Sequence, residues 1–282
     1  MSFYDYEFHE LNELFMKNFD LQRFGRVLRL DFAQSRSPLL WFTLGGLMVY
    51  LFFFWFAHNI GMKLDVVNDW ELHIKHICEG VAIFGIIAMY IFFLAAASTL
   101  YWAEQKKAKR TAHLMLPATN LEKFLARWVY LVVFSVVAGV LTFFVADGVH
   151  MAWLWLTDKP VVAATTYFLD DFPRPSNVNQ EHWLNALKGY SVLVAGHAFF
   201  LLGGIVFRKF QFVATALVGI VAFLTFAYFG SKDQPYMRAI PDDWYYLGLS
   251  LIFIALICVF TVLAYRLYCR WQVATRHYVN LP

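Results

Sequence analysis

Residues 104–127 read EQKKAKRTAHLMLPATNLEKFLAR and run straight into WVYLVVFSVVAGVLTFFV at 128–145. The second piece carries no Asp, Glu, Lys or Arg. As a helix it approaches the length needed to cross a hydrocarbon layer of about 30 Å, so it reads as part of a membrane span. The first piece is the opposite, more than twenty residues of charge and amphipathic helix between two apolar runs. A membrane chain places that much polar sequence between adjacent spans where the connection touches something in the aqueous phase. The segment 104–124 therefore reads as a docking element.

The rest of the chain extends the membrane reading. Charged residues make up 15% of it, aromatics 20% and hydrophobic residues 60%, a composition unlike that of a soluble core. Apolar runs at about 39–60, 77–103, 126–147, 187–207, 210–229 and 244–265 predict an all-α membrane protein with six transmembrane helices. At the N-terminus Asp5, Glu7, Glu10 and Glu13 stand where a signal peptide would be basic, and no continuous apolar stretch follows. The N-terminus is expected to be retained. Sixteen of the 23 Lys and Arg residues fall on the side of the N-terminus, whereas the opposite loops are acidic. Both termini are thus expected in the cytoplasm. The lack of any Asn-X-Ser/Thr acceptor favours a bacterial chain, in the inner membrane. Basicity beside spans reads as attraction to membrane lipid and not to nucleic acid. Cys78, Cys258 and Cys269 imply no disulfide framework.

Before the first span, Phe8, Leu11, Phe15, Phe19, Leu21, Phe24, Leu28 and Phe32 recur at helical spacing, with Arg23, Arg26 and Arg29 mostly on another face. This predicts an amphipathic helix over 8–32 lying in the inner interface. In the polar connection, Pro117 disfavours helix at Leu116, and Thr119-Asn120-Leu121-Glu122 has the spacing of a capping box. One helix should end near Leu116 and another start at Thr119, continuing into the third span. Beyond Val145, Asp147, Gly148 and His150 interrupt the apolar run. An ionised Asp at the bilayer centre costs about 2.5–3.5 kcal/mol, so Asp147 is expected among the outer headgroups, without a special partner. The stretch 157–183 is too polar and broken to span and reads as an outer loop.

Catalytic signatures are missing. Nine histidines do not cluster, and only His197 falls near the middle of a span, where an ionisable group is a functional candidate. His73, His76 and Glu79 have the spacing of a weak metal site but read better as interfacial residues. There is no H-E-x-x-H motif, no pair of membrane carboxylates suited to proteolysis, and no G-x-x-x-x-G-K-[ST] phosphate loop. No cofactor or metal is expected on the chain itself, and nucleotide energy would come from a partner.

The order of parts resembles the permease subunits of type-2 ATP-binding-cassette exporters: an interfacial helix, six spans, and an inner connection after the second that carries RTAHLMLPATNLEKFLARW at 110–128. Within it LPATNLEKF at 116–124 is similar to the L-P-x-[ST]-x-x-E sequence of small bacterial members, notably from Bacteroidetes-like genomes. The plan covers nearly the whole chain, the motif about twenty residues. The resemblance implies a half-transporter that pairs with a second permease copy or a paralogue and sits on separate ATPase subunits, which would hold ATP and magnesium. It makes 104–124 a coupling helix, with Glu104, Arg110, Leu116, Pro117, Thr119, Asn120, Glu122 and Lys123 as docking residues and Arg23, Arg26 and Arg29 on an elbow helix. It implies a hydrophobic or amphipathic substrate, and an outer re-entrant element between Pro235 and Pro241. The competing readings are a membrane scaffold that docks a cytosolic partner and a membrane enzyme centred on His197.

Overall fold

A long apolar sequence in lipid must satisfy its backbone internally, and helices do so within one segment. The structure, a computed structural model, describes residues 19–34, 36–63, 70–100, 113, 115–170, 180–207, 210–230 and 242–279. Among these residues there is no strand, and eight helices run in the order α1 (Leu21–Gln34), α2 (Arg36–Lys63), α3 (Trp70–Ser98), α4 (Asn120–Leu156), α5 (Ala164–Asp170), α6 (Gln180–Val206), α7 (Gln211–Gly230) and α8 (Asp242–Val279). Five carry stretches long and apolar enough to cross a membrane: Leu40–Asn59, Ile74–Ser98, Asn120–Leu156, Ala186–Val206 and Trp244–Arg270. The chain is on this ground an integral membrane protein. The expected fifth span coincides with α7, whose apolar stretch Gln211–Thr225 is shorter than the other five.

Two buried clusters hold the helices. Tyr50 and Phe54 of α2, Val81 of α3, Phe143 and Leu154 of α4 and Ala164 of α5 form the first. Tyr50 meets Phe143 edge-on at 5.4 Å between ring centres, a favoured aromatic geometry. Leu94 and Leu100, Phe124, Leu201, and Ala264 with Tyr268 form the second, tying α3, α4, α6 and α8 together at the other end of the bundle. There α3 and α6 approach at backbone distance, and a Cβ on Gly204 would lie 2.5 Å from the Ser98 carbonyl oxygen. Without a hydrophobic drive between helices in lipid, such small-residue contacts supply the packing.

Three boundaries differ from the periodicity. The 8–32 helix is not continuous: Phe19 and Asp20 are non-helical and α1 begins at Leu21, while residues 1–18 lie outside the described residues. Asp20 Oδ1 accepts the Gln22 amide at 2.8 Å, and Phe19 packs on Phe24 with ring centres 5.7 Å apart. These are an N-cap and a hydrophobic staple, which start a helix and do not let one pass through. Helix α3 stops at Ser98, where the Ser98 and Thr99 hydroxyls bond back to the Ala95 and Ala96 carbonyls at 2.8 Å each.

Helix α4 continues through Asp147, Gly148 and His150 to Leu156. Asp147 is fully buried and does have a special partner: its Oδ1 accepts the Ala164 amide at 3.0 Å and its Oδ2 the Thr165 amide at 2.9 Å, closing the start of α5. A buried carboxylate is tolerated when hydrogen bonds replace its water. The chain can return because α4 ends in a Schellman turn. The Lys159 amide bonds the Leu154 carbonyl at 3.0 Å and the Asp158 amide the Trp155 carbonyl at 3.3 Å, with Asp158 at φ 54.

Candidate functional site

The capping box is present. Thr119, at φ −70 and ψ 158, has its hydroxyl accepting the Glu122 amide at 3.2 Å, and Glu122 Oε2 accepts the Thr119 amide at 2.9 Å. Helix α1 has its own N-cap, Asp20, but its third helical residue is Arg23, which cannot reach back as an acceptor. Glu122 takes that role from α4: its Oε1 accepts the Asp20 amide at 2.8 Å and Arg23 Nη2 at 3.0 Å. One fully buried carboxylate thus closes the first turns of two helices and faces the positive ends of both macrodipoles.

Contacts follow the two helices from this point. Asp31 and Arg127 pair at 3.7 Å, both buried, and Phe32 meets Tyr130 edge-on at 6.1 Å. Burial pushes the Asp31 carboxyl up from its ordinary value, with the Arg127 charge opposing. The last helix joins from the other side. Phe124 lies 5.4 Å from Tyr265 and 5.7 Å from Tyr268, ring centre to ring centre, and His113 shares a buried 3.0 Å hydrogen bond with the Tyr268 hydroxyl. Burial, with the Arg127 and Lys123 charges, pushes the His113 ring down to about 3, so it is neutral. A neutral ring has a lone pair or an N–H to share with a phenol, which an imidazolium in this pocket would not do as cheaply.

The predicted docking residues divide. Glu122 and Lys123 are buried inside the junction, so Glu122 sets the shape of the corner and has no surface left for a partner. Thr119, Asn120 and Leu116 are half-buried, while Pro117 and its neighbour Met115 are exposed. Met115, at 79% exposure, is the outward tip of the described corner. Glu104 and Arg110 lie outside the described residues. On α1, Arg23 is drawn into the junction, whereas Arg26 and Arg29 face outward. Sequence alone did not point to Asp20 or His113; Asp20 followed by Leu21 is a local N-cap signal, but nothing local ties either to residues about a hundred or more positions away.

His197 stands apart from this junction. It is buried, stacked on Phe93 with ring centres 4.0 Å apart, and its Nε2 lies 3.1 Å from Trp128 Nε1. The indole can only donate, so Nε2 accepts and the ring carries its hydrogen on Nδ1. His76 lies 3.4 Å from Glu79, and among the described residues no group of three potential metal ligands comes together. Compared with family models, with curated proteins and with solved structures, the chain matches none.

Proposed function

We propose that this chain is the membrane-spanning subunit of an ATP-binding-cassette exporter, moving a hydrophobic or amphipathic substrate with energy from a separate ATPase subunit and working beside a second copy or a paralogue. The observation that carries the reading is the junction at Glu122. A transmission element has to be stiff, because a compliant corner would absorb a push as local bending. Here the corner before α4 is joined to α1 by a buried carboxylate with donors at 2.8–3.0 Å, and to α8 by aromatic packing and the His113–Tyr268 bond. Force on the exposed Met115–Pro117 tip would pass into α4, whose 37 residues run the length of the bundle. The broad apolar faces left on α2, α7 and α8 suit lipid and a second permease.

The test uses the tip, since it contributes nothing to the junction. The full chain and its Met115→Asp variant are purified in mild detergent from the native host, and what accompanies each is identified and assayed for ATP hydrolysis. The expected result is a stoichiometric ATPase with the unaltered chain, lost from the variant although its thermal unfolding is unchanged. A chain that arrives without an ATPase, under conditions that hold other membrane complexes together, would refute the proposal.

A further inference from the structure

Helix α1 has three faces. Val27 and Asp31 are buried and Arg23 reaches Glu122, so one face is taken by α4. On the helical wheel at 100° per residue, Leu21, Leu28 and Phe32 group on a second face, and Gln22, Arg26 and Arg29 on a third. Leu21 is 76% and Phe32 50% exposed, and Arg26 and Arg29 are both exposed. Among the described residues neither arginine meets a carboxylate; Arg26 Nε reaches only the Gln22 carbonyl of its own helix, at 3.4 Å. Of the described acids beside α1, Glu122 is committed to two helix starts, Asp31 to Arg127, and Asp20 to the Gln22 amide and Arg23.

We propose that this arginine face binds the phosphate of anionic phospholipid in the membrane that the chain spans. The position selects the occupant. Helix α1 ends at Gln34 and the membrane-spanning stretch of α2 starts at Leu40, so the arginines sit within a few turns of the bilayer surface. The adjacent exposed apolar face needs hydrocarbon beside it, and a lipid supplies both acyl chain and phosphate where an acidic protein supplies only charge. Guanidinium groups three residues apart lie on neighbouring turns of one side, and their planar forks suit phosphate oxygens. The inference does not depend on the transport proposal.

The experiment measures lipid retained on the intact detergent-solubilised chain by native mass spectrometry, with phosphatidylglycerol or phosphatidylcholine added. The unaltered chain should prefer phosphatidylglycerol, and R26Q/R29Q should bind it about fivefold more weakly per arginine removed, with phosphatidylcholine unaffected. R26K/R29K should keep most of the preference, and added salt should weaken it. Equal retention of the two lipids by the unaltered chain, or an undiminished preference in R26Q/R29Q with unchanged thermal unfolding, overturns the proposal. Loss of a co-purified protein from R26Q/R29Q while phosphatidylglycerol binding stays intact also overturns it, by assigning the face to that protein.

Discussion

Replacing Glu122 by Gln tests whether one carboxylate truly joins two helices. The side chain is fully buried and serves three donors, the Asp20 and Thr119 amides and Arg23, at 2.8, 2.9 and 3.0 Å. Gln offers one oxygen and one NH2 group, so whichever way it turns one amide loses its acceptor and faces another donor. A buried donor left unsatisfied costs about 1–3 kcal/mol. The Arg23 bond adds little to this sum, because that side chain is a third exposed and can turn to water. A penalty near 2 kcal/mol follows, which is roughly a 30-fold rise in local opening. Hydrogen exchange of the full chain in detergent should show it as faster exchange in peptides covering 19–24 or 116–123, whichever start the NH2 group faces, and Glu122→Ala, which takes the acceptor from both amides, should speed exchange in both. Thr119→Val, which removes only the hydroxyl half of the box on α4, should speed exchange at 119–123 and leave 19–24 unchanged. If Glu122→Ala accelerates exchange at α4 alone, the Asp20 amide does not depend on Glu122 and the junction argument is wrong.

Two further outcomes follow from the same end of the bundle. His113 is held neutral, near 3 against an ordinary 6.5, so its lowered folded value contributes stability above pH 6.5 that is lost as pH falls toward 3. Thermal unfolding between pH 6.5 and 4.5 should show the unaltered chain losing up to about 1.4 kcal/mol per pH unit from this residue, and His113→Gln should flatten that slope; an identical slope in both would deny it. Gly204→Ala would press a methyl against the Ser98 backbone at 2.5 Å, where no side chain can swing aside, whereas Gly189→Ala meets nothing within 4 Å. The first should lower stability by about 1–3 kcal/mol and the second should be neutral or raise it by up to about 1 kcal/mol, and reversal of that order in thermal unfolding would show that α3 and α6 are not packed this closely.

What could be read in the sequence was what local rules govern. The apolar run from Trp128 announced α4, and Thr119 with Glu122 announced its first turn, because a capping box is a matter of three residues' spacing. The start of α1 was missed although Asp20 carries its signal, since apolar periodicity ran on across it and Phe19 served as a staple instead of a core residue. The site was legible only in part for a different reason. Glu122 was visible as a cap and as a charge, but charge in a polar connection reads as surface, and only the fold shows it accepting an amide 102 residues away. Asp147 repeats the lesson at the other end, where the cost of a buried carboxylate argued for headgroups and the α5 amides removed the need for them.

Those two carboxylates together say what α4 is for. They sit 25 positions apart on one unbroken helix, about 37 Å along its axis, close to the span of a bilayer with part of its headgroups. Each is buried, and each accepts backbone amides from the beginning of a different helix, α1 at one end and α5 at the other. Backbone amides cannot swing away as side chains can, so neither contact yields without unwinding a helix start. The three elements must therefore shift together, with α4 as the shaft. In an exporter this arrangement would carry a push at Met115 to the far face of the membrane with little loss. In a scaffold it would hold two surfaces in fixed register. Both uses require α4 to be rigid, so the Glu122 measurement bears on the shaft itself, and only the ATPase assay decides between them.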